Sequence, residues 1–247
     1  MATFRFYAEL NDFLAPEGRQ HEFSCRCARA ATAKHMIEAL GVPHTEVELV
    51  LVNGVSVGFD HLLEEGDRVA VYPRCESFDI SPLLCVRERP LRVTRFVADA
   101  HLGGLARLLR MAGFDTLYDN HFHDLEIAAI AEREGRIVLS RDRELLKRKV
   151  ITHGCYVHAQ KTAQQLQEIF QRLDLARNAK PFTLCMYCNA PLQSIDKSLA
   201  LPRLPPSVRE PYERFSTCGT CQRLYWEGSH WQRMQTMLEQ AMMPRPH

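Results

Sequence analysis

Between Phe96 and Asp142 the chain reads FVAD, HLGGLARLLRMAG, FDTLYDN, DLEIAAIAEREG and RIVLSRD, so that three short apolar runs alternate with helical patterns. Each run stops at an aspartate: Asp99, Asp119 and Asp142. Strands that alternate with helices imply a parallel sheet. The carboxyl ends of such strands share one edge, and ligands bind in the crevice there, where the strand order reverses. Three carboxylates are therefore expected on one edge, with Asp124 opening the helix beside them. Clustered aspartates raise one another's pKa unless a cation is present, so the pattern points to a site for a divalent metal.

At 247 residues the chain suits two or three domains, and 46% hydrophobic with 25% charged residues is ordinary for a globular protein. No apolar run approaches the roughly 20 residues that span a bilayer. MATFRFYAEL lacks the basic region and apolar core of a secretory signal, so a cytoplasmic protein without membrane association is expected. The near-neutral total hides an asymmetry. Residues 1–79 carry 7 Lys+Arg against 13 Asp+Glu, a net of −6, and the remainder carries 24 against 17, a net of +7. An anionic partner is expected on the second part.

The first part reads as a small domain. Thr3–Ala8 alternates as a strand, Gly18–Phe23 is expected to return as its hairpin partner, and Thr32–Leu40 is predicted helical, with Thr32 as N-cap and Gly41 as stop. Val47–Val52, a turn at Asn53-Gly54 and Asp67–Tyr72 follow, and Asn-Gly between apolar runs signals a hairpin. The order ββαββ, with GDRVAVYP near its end, resembles the ubiquitin-like β-grasp fold of sulfur carriers. Where those carriers end in Gly-Gly, this chain reads Pro73-Arg74-Cys75-Glu76-Ser77 and continues, so an interaction or regulatory module is expected rather than a sulfur carrier. Residues 78–93 form a connector containing Pro82 and Pro90 whose apolar stretch is expected to pack.

In the central part, Leu102, Leu105, Leu108 and Leu109 share one helical face, with Arg107 and Arg110 expected on the surface. The next helix is expected to bury Leu125, Ile127 or Ala128, and Ala131, and to end at Gly135. A third helix starts near Asp142 with Leu145 and Leu146 inward and Arg143, Lys147, Arg148 and Lys149 in solvent; Gly154–Val157 and Thr162–Leu173 supply a further strand and helix.

Nine cysteines include two CxxC pairs, Cys185/Cys188 and Cys218/Cys221, separated by 29 residues. Each pair makes a tight turn that aims two thiolates at one ion, and two turns complete a tetrahedral zinc site of the ribbon type. GSHWQRMQTMLEQAM reads as a closing helix.

Other readings stand beside these. Asp99 and Asp142 lie at strand-to-helix junctions, where aspartate caps the following helix. Gly103-Gly104 resembles a dinucleotide loop only weakly, because an aspartate in that turn repels a pyrophosphate; close approach of backbone is the better explanation. A phosphorylated receiver domain needs an acidic pair after the first strand, and position 100 is alanine. His101, His121 and His123 flank the acids and read as surface residues. The arginines and lysines between Arg107 and Lys149 form either a basic rim for phosphates or a solvated face. Tyr187, Tyr225 and Trp226 either stack unpaired bases or build the ribbon core.

FVADAHLGGLARLLRMAGFDTLYDN, GRIVLSRDRELL, the two CxxC knuckles and YWEGSHWQRM together resemble the zinc-ribbon, PIN-like ribonucleases of the Mut-seven C-terminal RNase domain family, whose bacterial members frequently carry an N-terminal ubiquitin-like domain. The resemblance implies an α/β chain with a β-grasp domain over 1–77, the connector 78–93, a PIN-like parallel-sheet domain over 94–178 and a zinc ribbon over 181–234 with a helix to 247. It implies RNA hydrolysis with Mg²⁺ or Mn²⁺ at Asp99, Asp119, Asp124 and Asp142, the first and last as the principal metal ligands. It also implies structural zinc on Cys185, Cys188, Cys218 and Cys221, RNA as partner, and a protein partner through the ubiquitin-like domain. The alternative is an inactive RNA-binding adaptor, against which the four acids argue, since charges that repel phosphate do nothing for a pure binder.

Overall fold

The computed structural model describes residues 1–28, 30–73, 94–209 and 211–243. The connector 78–93 and its expected packing lie outside the described residues. The N-terminal sheet is mixed: β1 (Ala2–Phe6), β2 (Phe23–Cys25), β3 (Val47–Val52), β4 (Val55–Ser56) and β5 (Arg68–Pro73) lie in the order β2-β1-β5-β3-β4. Parallel β1 and β5 pair Phe4 with Val69, and antiparallel neighbours flank them. The second strand begins at Phe23 rather than Gly18, because Pro16–Gly18 closes a 3-10 turn. Helix α1 (Ala33–Ala39) is capped as expected, the Thr32 hydroxyl accepting from the His35 N–H at 3.2 Å, and it buries Ala33, Met36 and Ile37 against Phe4, Phe6, Val50 and Val71.

The central elements run β6 (Phe96–Ala98), α2 (Gly103–Met111), β7 (Thr116–Leu117), α3 (Asp124–Glu134), β8 (Ile137–Ser140), α4 (Arg143–Leu146), β9 (Gly154–Tyr156) and α5 (Thr162–Arg172). The sheet has the order β7-β6-β8-β9, with parallel pairing of Phe96 with Thr116 and of Val138 with Gly154. All of β6 and β8 is buried, which is why these strands read as continuous apolar runs. The ribbon follows: β10 (Leu192–Ile195), α6 (Lys197–Ala200), α7 (Pro206–Arg209), β11 (Phe215–Cys218), β12 (Leu224–Trp226) and the closing helix α8 (Ser229–Met242). Its antiparallel strands lie in the order β10-β11-β12.

The chain forms two compact units, one comprising Met1–Val93 with His123–Tyr156 and the other Thr94–Phe122 with Val157–His247. Within the first, the N-terminal sheet is fastened to the α3–β9 segment. His44 Nε2 lies 2.8 Å from the Ile151 carbonyl and its Nδ1 2.7 Å from Glu38, Glu46 accepts from the Tyr156 N–H, and Arg143 donates to the Phe13 carbonyl at 3.1 Å. Arg143 also lies over the Phe13 and Tyr156 rings, so it is not the solvated side chain expected from the charge run. Helix α3 buries Ile127, Ala128 and Ala131, but Leu125 is 72% exposed because it falls on the outer side of the first turn. Gly135 ends the helix in the left-handed region, as expected.

In the second unit, Leu102, Leu105 and Leu109 face the core while Leu108 is half-buried. The glycine pair lets α2 approach its neighbours: a methyl at Gly103 would meet the Tyr118 ring at 2.5 Å, and one at Gly104 would meet Thr162 Oγ1 at 2.9 Å. Among the described residues no helix is long and apolar enough to cross a membrane.

Candidate metal centre and candidate active site

The two CxxC turns bring four sulfurs together. Cys185 Sγ lies 3.5 Å from Cys221 Sγ, Cys188 Sγ lies 3.3 Å from Cys218 Sγ, and all four fall within 4.8 Å of one another. Sulfurs bound at about 2.3 Å to one tetrahedral zinc stand about 3.8 Å apart, so the cluster fits that ion. Cys185 and Cys218 are fully buried. Burial raises the Cys221 thiol, but the backbone N–H and guanidinium of Arg223 outweigh it and hold the thiol down at about 6. Burial likewise opposes ionisation of Cys185, and the Tyr225 hydroxyl at 3.1 Å, with backbone N–H groups of its own turn, lowers it. These donors fit a centre whose ligands are thiolates.

The centre is tied to the central sheet by two residues for which the sequence pattern did not suggest this role. Arg110, expected on the surface as part of a basic rim, is 4% exposed. Its Nε donates to the Thr116 carbonyl at 2.8 Å, and its Nη1 donates to the Tyr187 and Met186 carbonyls at 2.6 and 3.2 Å, inside the first CxxC turn. Burial lowers its pKa, and the sulfurs of Cys185 and Cys188 act in the opposite sense. Asn189 accepts from the Thr116 N–H at 3.0 Å and donates to Asp115, and it adopts φ +66°. The sequence signal for Arg110 was its place one turn after Ala106, on a face of the helix that is buried.

The four candidate aspartates divide between the units: Asp99 and Asp119 in the second, Asp124 and Asp142 in the first. Asp99 follows β6 directly and occupies the N-cap position of the 3-10 turn Ala100–Leu102, where its carboxylate makes no cap bond. Asp119 lies two residues past β7, and its Oδ1 accepts from the His121 backbone N–H at 2.9 Å and lies 3.1 Å from the His121 ring. Those bonds hold its carboxyl below the usual range. Asp124 opens α3, and its Oδ2 faces Arg148 at 3.4 Å. Asp142 lies two residues past β8 and caps α4, its Oδ1 accepting from the Glu144 N–H at 2.8 Å. The cap reading thus holds for the Asp142 side chain and not for Asp99. His123 is the N-cap residue of α3, and Glu126 accepts from its backbone N–H at 3.0 Å. Among the described residues, the cysteine cluster is the one group of three or more potential ligands with atoms all within 4.8 Å.

A family model described as "Mut7-C RNAse domain" matches residues 94–238, a span that holds all four aspartates and all four clustered cysteines. The chain belongs to this family. A second model, "Mut7-C ubiquitin", matches residues 1–79, over the mixed sheet. Searches of curated proteins and of solved structures return no match. The chain therefore carries a ribonuclease-type Mut7-C domain behind a ubiquitin-like one, with a cysteine cluster compatible with a zinc ribbon. Within the Mut7-C domain the aromatic residues near the knuckles separate. Tyr225 bonds Cys185 and Trp226 packs on the small core of Ala200, Leu204 and Phe215, whereas Tyr187 is 51% exposed.

Proposed function

We propose that this chain is a divalent-metal-dependent ribonuclease in which Asp99, Asp119, Asp124 and Asp142 are the acidic residues that serve catalysis. The observation that carries the reading is the match of a Mut7-C RNAse domain to the segment in which three of these residues follow successive strands and the fourth opens a helix. Oxygen donors of this kind suit Mg²⁺ or Mn²⁺. Asp119 and Asp142 each accept a backbone N–H on Oδ1, and Asp124 faces Arg148 through Oδ2. These carboxylates would hold the ion, and the chemistry it would supply there is activation of water at neutral pH and neutralisation of charge on the leaving oxygen. The chain's own part is to hold charge in place: His121 keeps Asp119 ionised and Arg148 orients Asp124, and no nucleophilic side chain is needed. Residues 94–178 would act as the PIN-like catalytic domain and 181–234 as a zinc-stabilised ribbon, with RNA as substrate. The ubiquitin-like domain, over 1–77, would meet a protein partner through surface other than His44, Glu46 and Phe13, which are occupied within the chain.

A second reading, an RNA-binding adaptor, draws on the cap bond of Asp142, which gives that carboxylate a structural task. Asp142→Asn separates the two, because asparagine caps a helix as well as aspartate but carries no charge. A nuclease loses about two orders of magnitude in cleavage rate with its stability unchanged. Unchanged cleavage in this variant would leave Asp142 a cap and nothing more.

A further inference from the structure

One cavity of about 790 Å³ lies wholly within the second unit, between the ribbon, the end of α2 and the start of α8. Its walls are rich in aromatic rings: Phe182, Tyr187, Tyr212, Tyr225, Trp226 and Trp231 all line it. The charge is cationic. Arg223 lies over the Tyr187 ring at 3.5 Å and Arg107 faces the same ring at 5.1 Å, while the acid Glu227 is paired with Arg214 at 2.6 Å. Phe182 and Trp231 stand 4.9 Å apart at 33° on the α8 side.

Exposed rings faced by guanidinium groups match the two parts of an unpaired nucleotide, the π face of a base and a phosphate. A folded ribbon alone does not require the Tyr187 ring to be 51% exposed beside two arginines. We infer that this cavity is a binding site for single-stranded RNA, in which a base stacks against Tyr187 and the adjoining phosphates meet Arg107 and Arg223. The site deepens the ribonuclease reading, on which its choice of RNA rests: it would hold an unpaired segment of the substrate. Duplex RNA, with its bases already stacked on one another, offers no face to the ring.

The chain's two tryptophans, Trp226 and Trp231, both line the cavity, so intrinsic fluorescence reports on it directly. The test uses the full chain loaded with zinc, carrying Asp99→Ala/Asp142→Ala so that RNA is not consumed. It is titrated with a labelled single-stranded oligoribonucleotide and with the same sequence as a duplex, reading tryptophan emission and anisotropy together. The single strand should change tryptophan emission at the same concentration that raises anisotropy. Tyr187→Ala should weaken its binding about tenfold, and Tyr187→Phe, which keeps the ring, should restore it to within about twofold. Duplex binding as tight as single-strand binding, single-strand binding without any tryptophan response, or wild-type affinity in Tyr187→Ala would each overturn the inference. Cleavage by the chain with intact aspartates is scored separately. Loss of the cavity response with cleavage retained removes this site and leaves the ribonuclease reading standing, and the converse result does the reverse.

Discussion

Arg110 is a charged side chain buried where a surface residue was expected, and its neighbours explain why it is tolerated there. A guanidinium has five N–H donors, and here its Nε and Nη1 donate to three backbone carbonyls. Arg110→Ala leaves those carbonyls without a partner and should lower stability by about 3 kcal/mol, read from denaturant unfolding of the zinc-loaded protein. Leu125 and Ile127 give a second contrast on one helix. Leu125→Ala should fall within about 0.5 kcal/mol of the parent, and Ile127→Ala should cost about 3 kcal/mol. The apolar pattern could not separate these two, because periodicity gives the face of a helix only once its start is known, and α3 begins at Asp124. The caps were more legible: Thr32 and Asp142 hold the bonds that their positions before a helix imply.

Elements carry the next set of consequences. Helix α2 stops at Gly113, which has φ +90° and lies where a methyl would stand 2.1 Å from the Lys180 carbonyl oxygen. Gly135 ends α3 at φ +61° with nothing near a methyl. Gly113→Ala should therefore cost about 3 kcal/mol or more, and Gly135→Ala about 1 kcal/mol, in parallel thermal melts. Both glycines were legible as stops, since each follows the last periodic residue of its helix. Their different severity was not, because it depends on Lys180, far along the chain. The strands β6 and β8 were legible for a plain reason: buried throughout, they read as continuous apolar runs. The hairpin partner of β1 was misplaced because Pro16 and Gly18 form a turn before the strand begins.

For the whole molecule, the cysteine centre and the two CxxC turns hold the ribbon, and Arg110 and Asn189 join it to the central strands. Removing zinc with a chelator, or Cys218→Ser, should unfold the ribbon and lower the thermal midpoint, and the difference from the zinc-loaded parent should shrink as pH falls, because protonating the thiolates releases the ion from the parent as well. The four cysteines were legible from spacing alone, whereas the links at Arg110 and Asn189 depend on contacts more than 70 residues apart in sequence. The acidic residues were legible one by one as strand ends, but how they act together is a question of chemistry. It is answered most directly by cleavage of labelled single-stranded RNA by the zinc-loaded chain, with and without added Mn²⁺, beside Asp99→Ala/Asp142→Ala. The account predicts cutting that needs Mn²⁺ and vanishes in the double variant while zinc content and RNA binding persist. Equal cutting by both proteins, or none by either while both bind RNA, would contradict it.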